Sequence, residues 1–278
     1  MENRERIGKT VTEYNPSTWD IAWVSGLAFL LGIAIDIRGF GSLRTPSLWQ
    51  LWAITAVIGF VASILLPQKR RGLIFALGAT LAVYTVRIVS TPWTYWLQNL
   101  PLNPTFQYWV IAGPGGGVFG LFFPAVLSLF VGLWVFRLPI SEQWGGIIAF
   151  RRQAWLYGIP AAIIIAGLTI GLGLLSGAVE FSPMFDWAKS AVNLFSNLWE
   201  EILFRGMLLQ VVRKYLGPRT AMIWTGVFFG ILHGINPLGI FIALISWIFA
   251  WVVLKTRSLW GGWIVHQVSD MLIDNLIS

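Results

Sequence analysis

Two adjacent carboxylates, Glu200 and Glu201, stand in the run Asn197-Leu198-Trp199-Glu200-Glu201-Ile202-Leu203-Phe204-Arg205. The chain's two histidines, His233 and His266, lie downstream in apolar runs of their own. Carboxylates and imidazoles move protons near neutral pH, so this set can activate a water, stabilise developing charge or ligate a metal. Helical spacing divides the roles. Glu201 and Arg205 are four residues apart with the acid on the N-terminal side, the favourable order for a helical ion pair, so Arg205 is expected to hold Glu201. Glu200 points about 100° around the helix from Glu201. It has no basic residue one turn away and is the carboxylate expected to act as a general base. His266 and Asp270 are also four apart, so the acid can accept from a ring nitrogen and fix the imidazole's tautomer and orientation. Asp274 and Asn275, on the next turn, read as ordinary polar residues at a helix end.

These residues stand out because charge is scarce. Of 278 residues, 56% are hydrophobic, 11% are charged and 17 are tryptophan, and the mean hydropathy is +0.72. Soluble domains carry roughly 25% charged residues. A single water-exposed domain of this length has no way to hide so much apolar surface, which leaves an all-α, polytopic transmembrane helix bundle. Charged groups near mid-bilayer cost about 2.5–3.5 kcal/mol each on insertion scales, so Glu200, Glu201, Arg205, His233, His266 and Asp270 must face one another across helices. The absence of cysteine excludes a disulfide framework, thiolate metal sites and a cysteine nucleophile.

Apolar stretches at approximately 21–36, 47–66, 72–90, 117–136, 154–177, 188–212, 219–235, 238–254 and 258–276 predict about eight to nine helices. Residues 1–20 mix both charges with Pro16 and read as a cytoplasmic tail rather than a signal peptide. Residues 21–180 form N-terminal transmembrane helices of unassigned role, and 181–278 form the chemical core. The net charge of +7 resolves into a topology: with the N-terminus inside, fourteen Lys and Arg fall on inner regions and two on outer ones, with the C-terminus outside. That distribution removes nucleic acid as a partner. No organelle-retention signal closes the chain at Asn275-Leu276-Ile277-Ser278, which gives a prokaryotic cell (inner) membrane as the expected location.

The 91–116 connection has six aromatics and no formal charge, and it falls on the outer side as an interfacial loop able to dock a membrane-protein partner. Its Gly-rich run at 113–117 lacks the Lys-Ser/Thr of a phosphate-cradling loop. In the fifth segment, Gly167-x3-Gly171 and Gly173-x3-Gly177 predict close helix approach.

The ordered motifs EExxxR at 200–205, FxxxH at 229–233 and HxxxD at 266–270, each on its own hydrophobic helix, resemble the CPBP family of intramembrane proteases (CAAX proteases and bacteriocin-processing enzymes, the Abi family). The resemblance covers roughly residues 190–275. It implies an endopeptidase acting on membrane-associated, CAAX-type substrates, in which Glu200, helped by His233, activates water. His266 and Asp270 would stabilise the oxyanion or orient the groups that do, while Glu201, Arg205 and Phe229 support the site. CAAX enzymes commonly carry asparagine where this chain has Asp270. An ionised aspartate has no hydrogen to donate to an oxyanion, so Asp270 is either protonated or an orienter of His266, or it marks a divergent activity.

The favoured mechanism requires no cofactor. A divalent metal such as zinc stays open, because two histidines and a carboxylate are a zinc-type ligand set, although HExxH is absent. Two other readings stand beside the enzyme. One is a non-catalytic membrane scaffold, chaperone or subunit of a larger complex, with a variant in which a histidine ligates a bound cofactor. The other is a proton path or transporter, for which no inverted repeat is visible.

Overall fold

The computed structural model describes residues 72, 73, 75–84, 100, 101, 103, 122–134, 136, 138, 151–233 and 237–277. The predicted tail, the first two predicted segments and the 91–116 connection apart from Leu100, Pro101 and Asn103 lie outside the described residues.

The described residues are helical: α1 (Phe75–Tyr84), α2 (Phe122–Trp134), α3 (Arg152–Ser176), α4 (Trp187–Glu201), a π-helical segment (Ile202–Leu208), α5 (Leu209–Leu216), α6 (Pro218–Leu232), α7 (Pro237–Thr256) and α8 (Leu259–Leu276). Among them β pairing is limited to an isolated antiparallel bridge between Phe181 and Ile277. The last five predicted segments coincide with α3, with α4 through α5, and with α6, α7 and α8 to within a few residues. Arg152–Ser176 and Pro237–Thr256 are long and apolar enough to cross a membrane by length and composition.

Punctuation in the sequence explains the helix ends. Gly177 closes α3 in the left-handed region at φ 66°; its N–H donates to the Leu174 carbonyl and that of Ala178 to the Gly173 carbonyl, a Schellman cap. Asp186 starts α4 by accepting from the Lys189 N–H at 2.9 Å. Gly217, at φ 85°, turns the chain into Pro218 at the start of α6.

The predicted glycine stripe is not the face by which α3 meets its described neighbours. A Cβ built at Gly167 or Gly171 meets nothing within 4 Å among the described residues, and Gly177 serves as a helix cap. The close approach of α3 is made by Gly158, which packs against Ile264 and the Gly261 carbonyl of α8. Gly226 and Gly230 do the same between α6 and α7, lying against Trp247, Ala243 and the Gly239 carbonyl in antiparallel register. Contact with a neighbour therefore depends on which face a glycine occupies, which a GxxxG spacing alone does not specify.

Beside an apolar core, the helices expose large apolar side chains and bury several polar ones. Leu156, Ile163, Ile164, Leu168 and Leu172 of α3 and Leu238, Ile240 and Leu244 of α7 are exposed, whereas Asn197, Glu201, Arg205, His266 and Gln267 are buried. Apolar surface outside and polar groups paired inside is the arrangement a hydrocarbon solvent selects.

Candidate active site

The site is built on the helix that runs from Trp187 to Leu216. At Ile202 the backbone stays right-handed helical (φ −61°, ψ −46°), so α4 passes directly into the π segment. There the Leu209 N–H reaches the Phe204 carbonyl, and the Gln210 side chain donates to the Arg205 carbonyl at 2.9 Å. Every residue from Ile202 to Leu208 is buried. A π stretch inside an α-helix is uncommon and tends to occur at functional sites, because it turns the faces before and after it relative to each other.

Glu201 and Arg205 form the predicted pair: Oε1 lies 2.9 Å from Nη1, and both side chains are 0% exposed. This is an ion contact rather than an aligned hydrogen bond, since Nη1 and Nε of Arg205 and Oε2 of Glu201 make no hydrogen bond among the described residues. Other groups compensate. Arg205 Nη2 donates to Ser246 Oγ of α7 at 2.6 Å, and the guanidinium lies over the rings of Phe229 (4.6 Å) and Phe249 (5.1 Å). Phe229 also meets His233, with ring centroids 4.8 Å apart.

Glu201 Oε1 has a second partner, accepting from His266 Nδ1 at 3.1 Å. The spacing of His266 and Asp270 predicts the acid one turn on as the ring's partner, and Nε2 does face Asp270 Oδ2, but at 3.5 Å. The shorter contact comes from Glu201, on another helix. Gly262 makes this possible: a Cβ there would stand 2.5 Å from Glu201 Oε2. Asp270 in turn accepts from Asn197 Nδ2 at 2.9 Å. His233 ends α6, and its Nδ1 lies 2.9 Å from the Phe229 carbonyl oxygen. A carbonyl oxygen only accepts, so Nδ1 carries the hydrogen and Nε2 is the nitrogen able to take up a proton.

Glu200, His233, His266 and Asp270 line one cavity of about 320 Å³. Asn193, Ser196, Asn197 and Ser269 extend its polar wall, and Ile165, Leu238, Phe241, Ile242, Ile245 and Ile273 form an apolar wall drawn from α3, α7 and α8. Glu201 and Arg205 stand behind the wall rather than in it. Asp274 pairs with Lys189 at 2.9 Å and Asn275 donates to Ser190 Oγ, so both act as ties at the helix end.

Spacing gave no indication of several contributors. Ser246, Phe249 and Gly262 sit on helices remote in sequence from Glu201; the one signal for Ser246 is its being a lone hydroxyl in the apolar run of α7. Asn197 is detectable as a polar residue one turn ahead of both glutamates. Among the described residues no three His, Asp or Glu side chains come together in a way that could hold a metal ion.

Residues 181–272 match the model of a family described as Rce1-like: Type II CAAX prenyl endopeptidase Rce1-like. The C-terminal third of the chain is similar to the CAAX proteases. The match agrees with the CPBP/CAAX resemblance and contains all three motifs of this CAAX-protease-like segment. Neither a curated protein nor a solved structure gives a match.

Proposed function

We propose that the chain is a membrane-embedded endopeptidase that hydrolyses a peptide bond of a membrane-associated protein substrate. The observation that carries this reading is the convergence of Glu200, His233, His266 and Asp270, from three separate helices, on one cavity with an opposing apolar wall. In this mechanism Glu200 accepts a proton from a water as its oxygen adds to the carbonyl carbon. His233, with Nε2 available, assists that transfer or passes the proton on to the leaving amine. The C–N bond then breaks, leaving a new carboxylate on one fragment and an amine on the other. His266, held through Nδ1 by Glu201, presents Nε2 toward the reacting carbonyl beside Asp270, and a proton held between these two groups is the donor available to the oxyanion. The buried Glu201–Arg205 pair fixes this frame without touching substrate. No step requires a metal.

The basic residues support an orientation. Arg151 and Arg152 begin α3, Lys255 lies in the last turn of α7 and Arg257 just beyond it, and Arg219 begins α6; α7 runs antiparallel to both α3 and α6, which gathers them at one end, the cytoplasmic end in this reading.

The test is cleavage of prenylated and unprenylated membrane-associated peptides by purified wild type, Glu200→Gln and His233→Ala. Loss of cleavage in both folded variants is the expected result. Cleavage at the wild-type rate by both overturns the reading, and comparison of the two peptide sets decides whether a prenyl group is needed.

A further inference from the structure

We infer that Asn197 is a positioning residue of this site, holding Asp270 and thereby the Nε2 side of the His266 ring. The inference rests on the peptidase reading but comes from a separate set of contacts. Asn197 is buried and splits its amide hydrogens between two acceptors on α8, Asp270 Oδ2 at 2.9 Å and Gln267 Oε1 at 3.2 Å. Asparagine in the middle of a helix is a poor helix former, and here its donors serve another helix rather than its own. Gln267 continues the seam by donating to the Ser190 carbonyl at 3.1 Å.

The register gives the seam its chemical meaning. Asn197 and Glu201 are one turn apart on α4, and His266 and Asp270 are one turn apart on α8. Running antiparallel, the helices pair Asn197 with Asp270 and Glu201 with His266, two rungs that bracket one imidazole. One rung fixes Nδ1 directly. The other fixes the carboxylate that Nε2 faces. An aspartate at this position would otherwise be free to swing into the cavity, and the amide restrains it.

The experiment uses full-length protein, purified without a polyhistidine tag so that His233 and His266 are its only histidines. Asn197→Ala, Asn197→Asp and the exchange variant Asn197→Asp/Asp270→Asn are compared by peptide cleavage and by 15N resonances of labelled histidine rings, assigned with His233→Ala. Displacing a positioned group by an ångström costs on the order of 100-fold in rate, so Asn197→Ala and Asn197→Asp are expected to lose about that much kcat with KM nearly unchanged. The His266 ring resonances are expected to move in both while those of His233 stay. Exchange is expected to recover much of the Asn197→Asp loss by restoring an amide–carboxylate rung. The inference is overturned if Asn197→Ala leaves the His266 resonances at their wild-type positions, whatever its activity. If wild type cleaves no peptide, the peptidase reading fails while the ring resonances still decide whether Asn197 positions His266.

Discussion

Glu201 and His266 meet across 65 residues of sequence, Oε1 accepting from Nδ1 at 3.1 Å, while the same oxygen lies 2.9 Å from Arg205 Nη1. One buried carboxylate oxygen therefore neutralises a guanidinium and orients an imidazole. Its removal is expected to disturb both stability and catalysis. Glu201→Gln leaves Arg205 buried without its counter-ion, a situation that costs about 3–5 kcal/mol where it has been measured. Equilibrium unfolding in detergent should show a loss of that size, with cleavage falling alongside it.

Ser246→Ala provides the graded comparison. It removes the hydroxyl that accepts from Arg205 Nη2 but keeps the Glu201 contact. A hydrogen bond to a charged group contributes about 1.5–3 kcal/mol. The loss of unfolding free energy should be smaller than for Glu201→Gln, and turnover should be largely kept because nothing on the cavity wall changes.

Gly262→Ala tests the opposite balance of effects. The added methyl would collide with Glu201 Oε2 and with Val253, so the carboxylate must shift and take the His266 ring with it. Overpacking of this kind costs about 1–3 kcal/mol in stability. Turnover of a verified peptide should fall by a larger factor than that stability loss explains, measured at a temperature where the variant remains folded.

Glu200→Gln and His233→Ala should not combine additively. If both serve one proton transfer, the second substitution removes little once the first has abolished the step. The double variant is expected to cleave about as slowly as the slower single variant, and a product of the two separate losses would show that they act in different steps.

The sequence announced the helices of this segment through long apolar runs bounded by Gly-Pro, Asp and basic residues. It announced the site because ionisable groups in such runs are costly enough to be rare. Glu201 with Arg205 was legible because the pair lies within one helix, where spacing is geometry. The partner of His266 was not, because the i,i+4 rule proposes Asp270 and carries no information about a carboxylate on another helix. Ser246, Phe249 and Gly262 were invisible for the same reason: their importance is set by helix register across α4, α7 and α8, which no local pattern encodes. The glycine stripe on α3 is legible as a spacing, but the face it occupies, one that meets no described neighbour, is not.

The π segment gives the helix from Trp187 to Leu216 two phases. Upstream of it, Asn197, Glu200 and Glu201 are aimed at the cavity and at α8; downstream, Leu209, Val211 and Val212 are aimed at the apolar core. Relaxation of Ile202–Leu208 to ordinary α-helix at unchanged length would turn one half against the other by about 100°, whereas the same relaxation with one residue deleted would leave the two halves nearly in phase. The segment therefore behaves as one extra residue that the helix takes up by widening a turn. A residue deleted from the flanking α-helical turns should therefore be far less tolerated than one deleted from the segment itself, since only the wide turn has a residue to give up without loss of phase.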